Sequence, residues 1–208
     1  MELHEALGQI RVIRRQMARS ETFRGYRAWP TALGGLIACG AAALQPWLVP
    51  QPAEQLPRYL ALWIGVAAIA GIWAAGDAWR RHRGADTLQS TLTRLAMEQF
   101  VPSVAAGTAL TAALVFAAPS QAWLLPGLWA VVFALGLFAS QRLLPRLMVV
   151  PAVWYLAVGC TCIALGPERA GLAPWVMAAT FGFGQAAVAL VLAMQQADAA
   201  AAEECEED

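Results

Sequence analysis

Residues 121–140 read QAWLLPGLWAVVFALGLFAS. No acid or base interrupts the run, and it matches the roughly 20 apolar residues that carry a helix across a bilayer core. Helices buried inside soluble domains make do with shorter apolar runs. Pro126 stands near its front, where a missing N–H costs nothing because first-turn donors have no partner within a helix. The stretch therefore reads as a membrane-spanning helix. Working outward from it, five further segments pass the same test, at roughly 28–49, 58–78, 102–119, 144–166 and 172–194. The fold class this predicts is all-α: a polytopic membrane protein built as a six-transmembrane-helix bundle. The third and fourth spans are separated by only a few residues around Pro119 and form a tight hairpin.

Composition agrees. The chain has 208 residues, of which 59% are hydrophobic and 13% charged, against about 45–50% and about 25% in soluble domains. Fourteen basic residues balance fourteen acidic ones, which excludes a uniformly basic nucleic-acid binder; no direct nucleic-acid partner is expected. Every basic residue is Arg, and Lys and Asn are both absent. Both missing residues have AT-rich codons, so the expected source is a GC-rich bacterium. No secretory signal peptide is read, because the region before the first span is too long and polar.

Arginine placement sets orientation. Arg11, Arg14, Arg15, Arg19, Arg24 and Arg27 precede the first span. Arg80, Arg81, Arg83 and Arg94 lie between the second and third, and Arg142 and Arg146 between the fourth and fifth. Only Arg58 and Arg169 fall in the alternate loops. By the positive-inside rule both termini are cytoplasmic, and the expected location is the bacterial inner membrane. Trp29, Trp79 and Phe100 are then expected at the cytoplasmic interface, and Trp47, Tyr59, Trp123 and Trp175 at the outer one. Pro30, Pro102 and Pro174 also stand near span starts, whereas Pro151 falls inside the fifth span and is expected to kink it.

Three pieces lie outside the membrane domain of 28–194. Residues 1–27 carry a stripe of Leu3, Ala6, Ile10, Ile13 and Met17 among arginines, the pattern of a cytoplasmic amphipathic basic helix. Two uses stay open for its candidate docking residues Leu3, Ile10, Ile13 and Met17. They dock a cytosolic protein or another subunit, or they lie on anionic lipid or the chain's own loops. Residues 80–100 hold a second amphipathic segment, with Leu88, Leu92, Leu95 and Phe100 along one side. Residues 195–208 form an acidic tail, expected to be solvated and disordered at its end.

Chemistry is sparse. No ionisable residue lies mid-span, where such groups mark function. Asp77, with Arg80 and Arg81 three and four residues on, is the candidate interface charge; a surface ion pair on a helix end competes with a gating or substrate role. His4 and His82 both lie in cytoplasmic segments. Cys160 and Cys162 point to opposite sides of a helix and cannot chelate one metal, and buried, inert thiols are expected. No catalytic residue, cofactor or metal site is read. Of the polar residues within spans (Gln45, Thr108, Thr111, Thr161 and Gln185), the candidate intramembrane set is Thr108, Thr111 and Gln185. Gln185, beside Gly182 and Gly184, is the most prominent. It reads either as a helix–helix hydrogen bond or as part of a polar path.

Small-residue pairs four apart predict tight helix packing: Gly34 and Ala38, Ala67 and Gly71, Gly71 and Ala75, Gly107 and Thr111, Gly136 and Ser140. They fit contacts within one chain or within a homo-oligomer. A short echo joins the fourth and sixth spans. Phe133 and Gly136 follow Pro126 at the same intervals as Phe181 and Gly184 follow Pro174.

Several segments together resemble a group of uncharacterised six-span bacterial inner-membrane proteins: 10–17 (IRVIRRQM), 23–26 (FRGY), 98–102 (EQFVP), 125–129 (LPGLW) and 153–156 (VWYL). The resemblance covers most of the chain and assigns no functional residue. Some members are encoded beside a winged-helix regulator, which implies a membrane partner for a cytosolic regulatory protein. Three functions remain in view. The first is a non-enzymatic membrane scaffold or sensor that engages a cytosolic partner through residues 1–27. The second is a small oligomeric transporter or channel for a small molecule. The third is a membrane enzyme acting on a lipid or quinone from Asp77, Arg80 and His82.

Overall fold

The computed structural model describes residues 27–82 and 87–207. Six long helices account for nearly all of them. α1 is Ala28–Leu48, α2 Leu56–His82, α3 Thr87–Ala117, α4 Leu125–Ala139 and α5 Val149–Arg169. α6 starts as Pro174–Met177, widens into a π turn over Ala178–Gly182 and runs on as Phe183–Glu207. Short 3-10 turns join α3 to α4 (Pro119–Leu124) and α4 to α5 (Gln141–Leu143 and Arg146–Met148). The described residues contain no strand, and six helices are long and apolar enough to cross a membrane.

Each helix runs antiparallel to the next. Gln45 of α1 meets Trp63 of α2, and Thr111 of α3 meets Trp129 of α4. In the same way Phe133 of α4 meets Tyr155 of α5, and Trp154 of α5 meets Ala179 of α6. Side-by-side packing follows the order α2–α1–α6–α5–α4–α3. The sixth and fifth spans thus stand in the middle, and the consecutive helices α2 and α3 occupy the two flanks. Burial follows this order. Half of the apolar window Pro174–Asp198 is buried and none of Glu98–Ala117. The outward side chains are large and apolar, with Phe116 86% exposed and Trp47 76%. A soluble monomer rarely shows so much contiguous apolar surface.

Prolines fall partly as expected. Pro30, Pro126 and Pro174 sit in first turns. Pro151 does too, because α5 starts at Val149, so it produces no kink. The break lies instead at Gly166 (φ 77°, ψ 178°), just before Pro167, whose ring steers the preceding residue out of helical geometry. Pro102 is not at a helix start: α3 runs through it from Thr87 to Ala117. The second amphipathic segment is therefore, from Thr87 on, about the first four turns of a spanning helix. The proline forfeits one backbone bond of the helix, and its ring is exposed.

The acidic tail also departs from expectation. α6 continues as helix to Glu207, because the run of Ala197 and Ala199 to Ala202 has the highest helix propensity of any residue type and nothing stops it. Cys162 is buried as expected, but Cys39 and Cys160 are exposed; all three are free thiols. Tyr59 and Phe100 pack within the bundle rather than outward. Tyr59 is fully buried, and Phe100 joins the ring cluster described below.

Candidate functional site, a buried polar node and an aromatic cluster

The break at Gly166 and a second left-handed glycine, Gly171 (φ 39°), shape the α5–α6 turn. Gly171 backs directly onto the carbonyl of Pro167, where a side chain would collide. This tight return delivers the Leu172 carbonyl to the interior, where Gln45 Nε2 of α1 donates to it at 2.8 Å. The other end of the same amide, Oε1, accepts from Trp63 Nε1 of α2 at 3.1 Å. Gln45 is only 1% exposed. Its amide thus ties α1, α2 and the α5–α6 turn at one point, inside a shell of Ala42, Val49, Tyr59 and Met177. The Tyr59 and Trp63 rings pack at 6.4 Å. Every group in this node is neutral, so it offers hydrogen bonds and shape but no proton donor or nucleophile suited to catalysis near neutral pH.

A second centre lies toward the opposite end. Phe133 of α4 contacts Phe100 of α3 at 5.0 Å, Tyr155 of α5 at 4.6 Å and Phe181 of α6 at 5.8 Å. Two glycines make room for it. The Phe100 ring covers Gly136, and the Tyr155 ring covers Gly184. The echo between the fourth and sixth spans thus has a packing meaning: in each, Phe joins the cluster and the glycine three residues on receives a ring from the preceding helix. The π turn sits beside this cluster. A wide turn leaves carbonyls poorly matched within the helix; Trp154 Nε1 donates to that of Ala179 at 3.0 Å, and the fully buried Thr180 hydroxyl donates back to Val176 at 2.7 Å. Trp154→Phe, which removes that donor, is expected to lower stability by about 1 kcal/mol. Denaturant unfolding in detergent would measure it.

The residues singled out from sequence lie elsewhere. Leu3, Ile10, Ile13 and Met17 fall outside the described residues. Thr108 is exposed and donates to its own helix at Val104 (2.9 Å). Thr111 donates to Gly107 (2.7 Å) and accepts from Trp129 Nε1 (2.9 Å). Gln185 is half-buried where α6 passes Gly35 of α1. α4 and α5 stand between the two threonines and Gln185, so the three do not meet. Asp77 is half-buried and Arg80 exposed near the end of α2, with Arg81 next in the same helix. Among the described residues no group of three His, Cys, Asp or Glu side chains is placed to hold a metal. Of the small pairs, those on α3 and α4 lie in helix contacts, and Gly34 faces Ala70, whereas Gly71 has open space beside it.

Gln45 is the residue that sequence reasoning underrated. It appeared among several polar span residues, and only its partner Trp63, eighteen positions away, distinguishes it. The same span also holds Tyr59 and Trp73, so Trp63 alone gave no signal that would have singled Gln45 out. Comparison with known proteins finds no matching family model, curated relative or solved structure.

Proposed function

We propose that the chain is an integral protein of the bacterial inner membrane with both termini in the cytoplasm. It works as a non-enzymatic scaffold or sensor and engages a cytosolic partner through residues 1–27. One observation carries this reading, the inequality of the two ends. At one end the connections 49–55, 118–124 and 170–173 are short and folded onto the array. At the other, helices outrun their apolar windows. α2 continues past Asp77 to His82, α3 begins at Thr87 well before Glu98, and α6 continues past Asp198 to Glu207. At about 1.5 Å per residue, α3 and α6 stand out by roughly 16 Å and 14 Å.

Residues 1–27 join the array at this same end, where Ala28 packs beside Met148, Val191 and Leu192. This end also carries most of the arginines, which supports its placement in the cytoplasm. The neutral node and aromatic cluster act as internal fastenings. The transporter reading draws on Thr108, Thr111 and Gln185, which lie in separate contacts.

The test is deletion of residues 1–20 with cross-linking in cells. The shortened chain is expected to stay in the membrane and lose its cytosolic cross-links. Retention of every cross-linked partner would overturn the docking role. A reporter active only in the periplasm, fused after Asp208, is expected to stay silent, and strong activity would overturn the topology.

A further inference from the structure

The connection from α4 to α5 is an elbow of two 3-10 turns, Gln141–Leu143 and Arg146–Met148, joined through extended backbone at Leu144 and Pro145. Leu144 anchors it by packing against the clusters around Tyr155 and Val191. Each turn presents one arginine, Arg142 and Arg146, and both are exposed. Neither guanidinium has a hydrogen bond or ion pair to the described residues. Immediately along the chain, Leu147, Val150 and Trp154 follow at intervals of three and four residues. All three are exposed and form one apolar strip up α5 from the arginines. Two exposed cations with no partner among the described residues, at the head of an apolar strip, complement an amphiphile with an anionic head and a hydrocarbon tail.

We propose that this elbow is a binding site for an anionic phospholipid. Its phosphate is held between Arg142 and Arg146, and its acyl chain lies along Leu147, Val150 and Trp154. Arginine suits the role because its planar fork matches phosphate oxygens and it never loses its charge. The inference rests on the reading of the chain as a membrane protein. It is independent of the docking role of residues 1–27.

The full chain, purified in a neutral detergent, is titrated with phosphatidylglycerol or phosphatidylcholine, and bound lipid is read by native mass spectrometry. The expected preference for phosphatidylglycerol is about thirtyfold, the product of two basic side chains near a headgroup. In R142Q/R146Q it is expected to vanish, and in R146Q alone to fall about fivefold. R58Q/R169Q, which removes the exposed arginines of the opposite end, is expected to keep it. An unchanged preference in R146Q and R142Q/R146Q would overturn the site, as would equal binding of the two lipids by the unaltered chain. Competition by inorganic phosphate as strong as by the lipid would assign the arginines to a soluble anion instead and equally overturn it. Flotation with lipid vesicles separates the two levels. A chain that stays at the bottom of the gradient loses the membrane reading and the lipid site together. One that floats but does not discriminate between lipids loses only the site.

Discussion

Gly159→Val is expected to prevent the helix array from assembling. Gly159 of α5 and Gly127 of α4 face each other across the most extensive helix contact among the described residues. A Cβ on Gly159 would lie 2.8 Å from the Gly127 carbonyl oxygen and 3.0 Å from both Ala130 Cβ and Val131 Cγ2. A Cβ on Gly127 would lie 2.9 Å from the Gly159 carbonyl oxygen and 2.7 Å from Ile163 Cγ1. These are backbone oxygens within helices, and they cannot give way unless a whole helix moves. Overpacking a core by a few methyl groups costs about 1–3 kcal/mol where side chains can repack. Here they cannot, and Val adds two methyls beyond the Cβ, so about 3 kcal/mol or more is expected. The readout is the yield of monodisperse protein and its unfolding midpoint in detergent. Gly71→Ala is the matched contrast. Gly71 has open space around it and lies within α2, so alanine is expected to leave stability unchanged or raise it by about 0.5–1 kcal/mol. A Gly159→Val protein as stable as the unaltered chain would show that the α4–α5 contact is looser than described.

Gln45→Leu is expected to cost about 2–4 kcal/mol, although it replaces a polar residue with an apolar one of similar size in an apolar interior. The reason lies in its partners. Without the amide, Trp63 Nε1 has no acceptor and the Leu172 carbonyl loses its donor, and both stay where water does not reach. Each orphaned group costs about 1–3 kcal/mol. Trp63→Phe is expected to cost less through hydrogen bonding, because it strands only one side of the amide. The double variant is expected to cost less than the sum of the two singles, since the bond between them is lost once. Unfolding measurements on all four proteins close the cycle. Strict additivity would show that Gln45 and Trp63 do not share the bond.

Much of the fold was legible because its cause is local. An uncharged run as long as 121–140 has few ways to satisfy its backbone in an apolar surrounding other than as a helix. Hence the apolar windows of all six spans lie within a few residues of their expected places, although α3 starts well before its window, at Thr87, and α6 runs on past its own to Glu207. Proline reading succeeded at Pro30, Pro126 and Pro174, where the rule concerns only the first turn. It failed at Pro151 and Pro102, where the outcome depended on helix starts a few residues away. The tail at 195–207 misled because its acids outweighed its alanines in the reading, while helix propensity acts on the backbone whatever the charge.

The site was less legible. Nothing in the chain distinguishes Gln45 from Gln185 as a buried amide until the neighbours are known. Gln45 lies opposite an indole and a free carbonyl, whereas Gln185 lies beside a glycine surface. Tyr59 has the sequence look of an interfacial residue and is wholly buried, because α2 turns that face toward α1 and the α5–α6 turn. Likewise Gly71 and Gly159 look alike in sequence; one meets open space and the other a backbone oxygen.

The amino-acid sequence by itself therefore determined what depends on runs of neighbouring residues. Those features are the number of spans, the place of their apolar stretches, and the crowding of arginines on alternate connections. Only the tertiary structure decided which helices adjoin. It placed α6 and α5 in the middle and α2 and α3 on the flanks. It also decided which amide, glycine and tyrosine became interior, and that the α4–α5 elbow holds two exposed arginines at the head of an apolar strip. The physical reason is that a helix satisfies its backbone from residues three and four positions away. The fate of a side chain is settled by contacts across many tens of residues, and a linear pattern does not carry them.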